Sequence, residues 1–506
     1  MLEEERKYQV DDGFRMPNLS AAGRVSAREP VTLRATYYDT AERLLARHGV
    51  SLRYRKNDAP AKVWTVKLPS STVGVRHEHS RPAAGAGVVP PDLLDLVTAY
   101  RRGRTLRPAA VLRTVRTVYE VADRDGAVLA EVADDVVSVL DGRKVAHRFR
   151  EIEVERVDGG PKLLDKIERL LLRAGAEAGD FVPKHVRAMG RLEAPVLVVP
   201  APLRRRPRAG DVVTEAIRRD IARIFKHDPF ARLRAIMPNG DTPVHQMRVG
   251  TRRLRSDLQT FQALLDPSWT APLRAELAWL ATALGGARDV EVLRARLHRT
   301  AAADPLVPPD PEAVESIDAA LAARQEQALA VLDAALHSRR YVRLLDALVE
   351  AVQAPRLSEL ARERADEVLP GIARKPWRRL VSGGGGVPGA GELTPDLPDD
   401  DWHEVRKRAK RARYAADAVS AVVGPDAVLL AKAIARAQGV IGEHQDAAIA
   451  ADAWLAAAAA APGDHALAVT AGRLFERERA SVTRARAKFP SVWESVLEDK
   501  NIAWLK

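Results

Sequence analysis

Carboxylates at alternate positions open this chain. Glu3 and Glu5 are followed at the same spacing by Lys7, and the pattern returns as Glu151, Glu153 and Glu155. A period of two puts each set on one face of a β-strand. Other stretches alternate with cations instead: Arg53 and Arg55 beside Leu52 and Tyr54, and Thr65 and Lys67 beside Trp64 and Val66. A half-exposed sheet explains any one such strand, but like charges on one strand face repel, and whole faces of opposite sign need a reason to coexist. A closed sheet with its charged faces inward supplies one. Carboxylates there could hold hard divalent cations while Arg and Lys grip an anion of several negative charges. The chemistry suggested is that of a metal-chelated polyphosphate group.

A second constellation is a basic helix that occurs twice, over 244–255 and 402–413. In the two copies His245, Arg248, Arg252, Arg253 and Arg255 stand against His403, Arg406, Lys410, Arg411 and Arg413. At 100° per residue, the histidine and the cations three, seven and ten positions later fall in an arc of roughly 80°. Beside that stripe Met247, Leu254, Leu258 and Phe261 share an apolar face, as do Val405, Ala412, Ala416 and Val419. A single Arg-rich helix is ordinarily a solvated face; the same arc kept twice argues for a cationic edge that meets an anion.

The elements that must position these residues divide the chain. Its 506 residues, 46% of them hydrophobic, predict several domains with buried cores. A formal charge of +12 and a pI near 9.9 favour a polyanionic partner without choosing among polyanions. Absence of cysteine excludes disulfides and thiolate metal sites. Neither a signal peptide nor a membrane-spanning run is evident, so the expectation is a cytoplasmic protein that engages no membrane. Residues 1–194 read as strands with hairpin turns at Asp125-Gly126 and Asp141-Gly142, interrupted by helical patches near 92–101 and 162–174. A Pro/Arg-rich linker is expected over 195–210. Helical periodicity follows over 211–500, broken by a Gly/Pro-rich stretch over 382–401 that reads as a mobile loop.

The opening Glu3-x-Glu5-x-Lys7 resembles the signature of the CYTH superfamily, the triphosphate tunnel metalloenzymes. The resemblance continues in order through Tyr37 to Thr40, Arg47 to Arg55, Trp64 to Pro69, Arg76 and Glu78, Arg113 and Arg116, Asp134-Asp135, Glu151 to Glu155, and Lys184. It implies an eight-stranded antiparallel β tunnel barrel. By carry-over, Glu3, Glu5 and Lys7 would be catalytic; Lys7, Arg53, Arg55, Lys67, Arg76, Arg113, Arg116 and Lys184 would bind the triphosphate. Glu3, Glu5, Glu151 and Glu153, with one of Asp134 and Asp135 and the second slightly preferred, would hold Mg²⁺ or Mn²⁺. His48, His77 and His79 read as surface or loop residues rather than ligands.

In the second half, 284–289 aligns with 441–446 at nearly the displacement that separates the two basic helices, which argues for internal duplication. The expected fold class is therefore α+β multidomain, with a C-terminal all-α domain of two pseudo-twofold-related helical bundles, about 211–345 and 346–500. This half resembles the CHAD family, the conserved histidine α-helical domain, at His245 through Arg255, Arg288-Asp289, His403 through Tyr414, and Gly442 to Asp446. The resemblance implies a basic groove for inorganic polyphosphate, adding Arg288, Lys407 and His444 to the two stripes. His245 and His403 could equally pack helices.

The function expected is a divalent-metal-dependent inorganic triphosphatase with a polyphosphate-binding helical domain. A binding-only targeting protein and a class IV adenylate cyclase are the alternatives. Nucleic acid is not expected as a partner, because aromatics are only 5% of residues and no stacking platform interleaves with the cations.

Overall fold

The computed structural model describes residues 2–57, 62–70, 72, 74–83, 85, 87–179, 182–190, 192–193, 197, 203–237 and 240–505. The chain divides into two units, 1–198 and 199–506. Of the expected linker, 195–196 and 198–202 lie outside the described residues.

Among its described residues the first unit contains ten strands: β1 (Leu2–Val10), β2 (Arg24–Ala27), β3 (Val31–Asp39), β4 (Ser51–Asn57), β5 (Lys62–Pro69), β6 (Val75–Pro82), β7 (Arg107–Ala122), β8 (Val128–Asp141), β9 (Lys144–Arg156) and β10 (Glu177–Ala178). Eight of them form a closed antiparallel barrel in the order β1-β6-β5-β4-β3-β7-β8-β9, sealed where β1 pairs with β9 (Lys7 opposite Glu153); short β2 and β10 are appended. Helices α1 (Leu44–Arg47), α2 (Pro91–Leu96), α3 (Thr98–Arg101), α4 (Pro161–Arg173) and α5 (Lys184–Met189) fill the connections.

Alternation decides what each barrel face does. Along β1, Glu3, Glu5 and Lys7 point inward, while Glu4 pairs with Arg156 at 2.8 Å, Arg6 pairs with Asp165 and Glu168 of α4, and Tyr8 is buried. The main apolar core therefore lies outside the barrel wall. There Tyr8, Val121, Val132, Ile152 and Val154 pack against Leu164, Ile167 and Leu171 of α4. Each such fully buried side chain contributes about 1.5–3 kcal/mol, so the barrel is held from outside and its interior is left for polar groups. A smaller cluster of Ala35, Tyr37, Leu112, Val137 and Phe149 is buried separately.

The second unit comprises α6 (Ala209–Arg232), α7 (Pro243–Thr260), α8 (Pro267–Ala301), α9 (Pro311–His337), α10 (Arg339–Gln353), α11 (Ala365–Val381), α12 (Asp399–Val423), α13 (Pro425–Ala460), α14 (His465–Val496) and α15 (Asp499–Ile502). Helices α6 to α9 and α11 to α14 are successive copies of one four-helix arrangement, with α10 between them. The relation is visible in the backbone: Ala209 N–H donates to Glu363 O at 2.9 Å and Ala365 N–H donates to Pro207 O at 3.1 Å. Arg208 and Arg364, the residues that precede α6 and α11, thus face each other across a local twofold. A shared core crosses between the copies, where Leu293, Leu297 and Ile317 meet Trp454, Leu467 and Leu474.

The stretch over 382–401, expected as a mobile loop, is packed over much of its length, and its last three residues open α12. Arg408 donates to Gly384 O at 2.6 Å and to Val387 O at 3.3 Å, and Ala390 and Leu393 are buried against Trp377 and Trp402. Gly389 lies so close to the preceding helix that a Cβ there would sit 2.0 Å from Val381 O. Its glycines allow a tight backbone approach, which composition alone does not distinguish from flexibility.

Candidate functional site

The barrel interior encloses a cavity of about 290 Å³ whose lining includes seven carboxylates and seven Lys or Arg side chains. The carboxylates are Glu3, Glu5, Glu78, Glu131, Asp135, Glu153 and Glu155; the cations are Lys7, Arg53, Arg55, Lys67, Arg76, Arg116 and Lys184. Each comes from a strand of the barrel, except Lys184, which α5 brings in.

The two signs are interlocked. Lys184 Nζ lies 2.7 Å from both Asp135 Oδ2 and Glu153 Oε1 and 3.0 Å from Glu151 Oε1. Arg116 binds both oxygens of Asp135, at 2.8 and 2.6 Å, and Glu153 at 2.6 Å. Lys67 Nζ contacts both oxygens of Glu3 at 2.6 Å and Glu78 at 3.1 Å, and Lys7 pairs with Glu153. Against burial, Lys184, Lys7 and Arg116 hold Glu153 well below the usual carboxylate range.

Other groups lack such relief. Burial and then Glu153 raise Glu5, whose contact with Lys7 is 3.7 Å; burial and Glu3 push Glu155 up to about 7. On the cationic side Arg53, with burial, pushes Arg55 down to about 10. His185, stacked on Tyr37 at 4.9 Å, is pushed down to about 3 by burial and Arg76 and is neutral.

The fit to a divalent cation follows from these donors. Among the described residues no three carboxylates or histidines stand close enough to hold a metal, because Lys7, Lys67 and Lys184 lie between them. The donors are nevertheless all hard oxygens. Glu5 is a buried carboxylate raised by burial and by Glu153, and Glu151 Oε1 is buried with the Lys184 ammonium 3.0 Å away. The chemistry of Glu3, Glu5, Asp135, Glu151 and Glu153 therefore fits a hard divalent cation.

Three residues in the predicted set do not line this cavity: Glu151 is buried against Lys184 and Arg187, and two others face away. Asp134 faces outward and binds Arg150 at 2.9 and 2.7 Å, while Asp135 faces in; adjacent strand residues cannot both do so. Arg113, three positions from inward Arg116, is exposed on the outer wall for the same reason. Glu131 and Glu155 line the cavity but were not assigned roles, although parity with Asp135 and Glu153 could have found them. Arg187, which binds Glu151 at 2.8 Å over the Phe149 ring, carried no sequence signal. Of the three histidines read as surface or loop residues, His48 packs against Tyr100 and is pushed down to about 3, chiefly by burial, while His77 and His79 belong to β6.

In the helical unit, α7 and α12 bring part of the two stripes together. Arg248 and Arg406 each reach the aspartate of the aligned motif, Asp289 at 3.0 Å and Asp446 at 3.9 Å, and each guanidinium lies over a glycine, Gly285 or Gly442. Arg252 and Lys410 make no ion pair with a described residue. Burial, then Arg406, Arg252 and Arg248, push Lys410 down to about 6. These four cations form one cluster shared by both copies. Beside it His245 feels Arg288, which pairs with Glu291, and His403 bonds Gln445 at 2.7 Å.

The remaining predicted groove residues are placed otherwise. Arg253 and Arg411 brace the copies against each other, through Asp417 at 3.2 Å and Gln259 at 2.9 Å. Arg255 lies near Arg274, Arg413 donates to Gln438 at 2.8 Å, and exposed Lys407 pairs with its helix neighbour Glu404. His444 is fully buried and stacked on Trp402 at 5.0 Å, its Nε2 3.1 Å from Arg486 Nε, with Asp399 bound to Arg486 beside it. Burial pushes it down to about 4, so its Nε2 accepts from Arg486 and the ring belongs to the core.

Comparison with known proteins agrees with this architecture. The CYTH domain model matches residues 1–187 and the CHAD domain model matches 215–455. Two uncharacterised proteins of Mycobacterium tuberculosis, one from each of two strains, are 33% identical over 517 aligned residues, covering 96% of this chain and 94% of theirs. Among solved structures, PptA from Streptomyces chartreusis is 25% identical with a TM-score of 0.47, over 57% of this chain and 99% of that one. The CHAD domain from the plant Ricinus communis is 22% identical with a TM-score of 0.46, over 59% and 94%. Among the described residues no helix is long and apolar enough to cross a membrane. With both domain models matched in order and relatives aligned over nearly the whole length, the chain belongs to the CYTH-domain proteins that carry a C-terminal CHAD domain.

Proposed function

We propose that this protein is a divalent-metal-dependent triphosphatase acting on inorganic tripolyphosphate, with a helical domain that binds inorganic polyphosphate. The observation that carries the reading is the charge balance of the tunnel, seven carboxylates against seven cations. A site for an anion alone has no use for buried carboxylates, which cost stability unless paired. A site for a polyanion together with its metal needs both signs at once.

Within the tunnel, Arg53 and Arg55 are the cations that repel one another, so an oxyanion between them relieves both; guanidinium forks suit phosphate oxygens bidentately. Arg116, Lys67 and Lys184 exchange carboxylate partners for phosphate oxygens when the anion enters, which frees Glu3, Asp135, Glu151 and Glu153 as oxygen donors. A metal bound there supplies charge neutralisation and a more acidic water. Hydrolysis then adds water across one phosphoanhydride bond: the water oxygen bonds to phosphorus, the bridging P–O bond breaks, and the released protons pass to the products or solvent.

In the test, purified protein is incubated with tripolyphosphate and Mg²⁺ or Mn²⁺, and phosphate release is followed for the unaltered protein and for Glu3→Gln/Glu5→Gln. The reading expects release that the double substitution removes, together with weaker Mn²⁺ binding measured calorimetrically. No release from the unaltered protein, with no effect of the substitutions on metal binding, overturns it. Cyclic AMP formed from ATP, detected chromatographically, would assign the tunnel to cyclase chemistry instead.

A further inference from the structure

The register of the barrel aligns five cations on its outer wall. Lys62 of β5 pairs with Lys56 of β4, Lys56 with Arg34 of β3, Arg34 with Arg113 of β7, Arg113 with Ser138 of β8, and Ser138 with Arg148 of β9. The row crosses six consecutive strands and contains no carboxylate. All five cations are exposed, and none forms an ion pair with a described residue. Like charges directly opposite on neighbouring strands destabilise a sheet, and this row has three such pairs in succession.

Over β3, β7 and β8 the rows that flank it are uncharged: Thr32, Val115 and Val136 on one side, ending at Arg150 of β9, which binds Asp134, and Trp64, Tyr54, Thr36, Val111 and Leu140 on the other. At a strand spacing of about 4.8 Å the row is roughly 24 Å long. It also winds round most of an eight-stranded barrel, so neither a membrane plane nor a rigid flat partner can touch both ends. A flexible linear polyanion can. A nucleic-acid strand would need aromatic platforms, and the two aromatics in the flanking rows, Tyr54 and Trp64, are buried.

We propose that the row is a second track for inorganic polyphosphate, laid across the strands on the outer wall of the barrel and separate from both the tunnel and the helical cluster. It rests on the polyphosphate-directed reading given above. Each phosphate unit offers charge at short intervals along a chain without bases or side chains, which matches a line of cations whose flanks over β3, β7 and β8 carry no charge. Binding there releases condensed counterions and is steeply salt-dependent.

Long-chain inorganic polyphosphate is titrated at low salt into four full-length forms: the unaltered protein, Arg252→Glu/Lys410→Glu, Arg34→Gln/Lys56→Gln, and the quadruple variant. The helical-cluster variant should keep a residual, salt-sensitive affinity. Adding the barrel substitutions should weaken that residue about tenfold or more and lower its log–log salt slope by about 2. Tripolyphosphate turnover by Arg34→Gln/Lys56→Gln should equal that of the unaltered protein, and its melting temperature should rise as like-charge repulsion falls. A residual affinity that is absent, or indifferent to the barrel substitutions, overturns the track and leaves the tunnel and helical assignments standing. Failure of the unaltered protein to bind polyphosphate sinks the functional reading and the track together. Equal affinity of the row for single-stranded DNA of matched charge shows a patch that reads charge alone and overturns the polyphosphate assignment.

Discussion

Arg253 of α7 donates to Asp417 of α12 at 3.2 Å, and the pair has a twofold mate in which Arg411 donates to Gln259 at 2.9 Å. Corresponding residues, Arg253 with Arg411 and Gln259 with Asp417, are displaced by 158 positions, as the two histidines are. One end of the mate is neutral, however, and only Arg253 also faces buried Asp220, at 3.4 Å. The duplicated arginines therefore hold the copies together unequally.

Arg253→Ala should cost about 3 kcal/mol or more, because it leaves a buried carboxylate without its counter-charge. Arg411→Ala should cost about 1 kcal/mol, the worth of a single hydrogen bond. Gln259→Glu, which restores an ion pair at the second brace, should stabilise by up to about 1 kcal/mol. Urea unfolding followed by circular dichroism orders the three; equal losses for the two arginines would contradict the asymmetry.

Neighbouring aspartates on β8 offer a sharper test of the tunnel. Asp135→Asn should lower tripolyphosphate turnover at least about tenfold, equivalent to ~1.4 kcal/mol of barrier, since Asp135 contacts both Arg116 and Lys184. Asp134→Asn should leave turnover unchanged and cost only stability, by loosening Arg150. Turnover lost in both variants would mean that the strand register is not the one described.

Polyphosphate binding by the helical domain should depend on pH through Lys410. Its pKa in the free protein is about 6, and a polyanion favours the charged form, so binding takes up a proton above that pH. Affinity should therefore rise as pH falls from 8 towards 6 and then level off. Calorimetry in buffers of different ionisation enthalpy reads the proton directly, and Lys410→Gln should abolish it. Arg252→Glu and Lys410→Glu should each weaken binding strongly, as both copies feed the same cluster.

His444 separates packing from ligand contact. His444→Ala removes a ring stacked on Trp402 and should cost about 2–3 kcal/mol, read as a lower melting temperature. Its affinity for polyphosphate below the melt should match that of the unaltered protein. Weaker binding without loss of stability would return His444 to the groove.

Local sequence determined the elements and their faces. Alternation from Glu3 to Lys7 and from Glu151 to Glu155 specifies a strand with one ionic face, since successive strand side chains must point opposite ways. The apolar face of Met247, Leu254 and Leu258, with its repeat at Val405, Ala412 and Ala416, specified two buried helices. Those constraints act within a few residues and are legible without neighbours. Tertiary structure alone decided which ionic faces meet. Parity separates Asp134 from Asp135 but does not say which is inward; the barrel's closure does. The stripe on α7 does not reveal that Arg253 finds Asp417, 164 residues away, while Arg252 and Lys410 make no ion pair with a described residue. Nor does composition show that Gly389 permits a close approach, or that five cations on separate strands fall into one row. Such relations depend on register and on packing across long sequence separations, where the energy of a charge is set by what the fold places beside it.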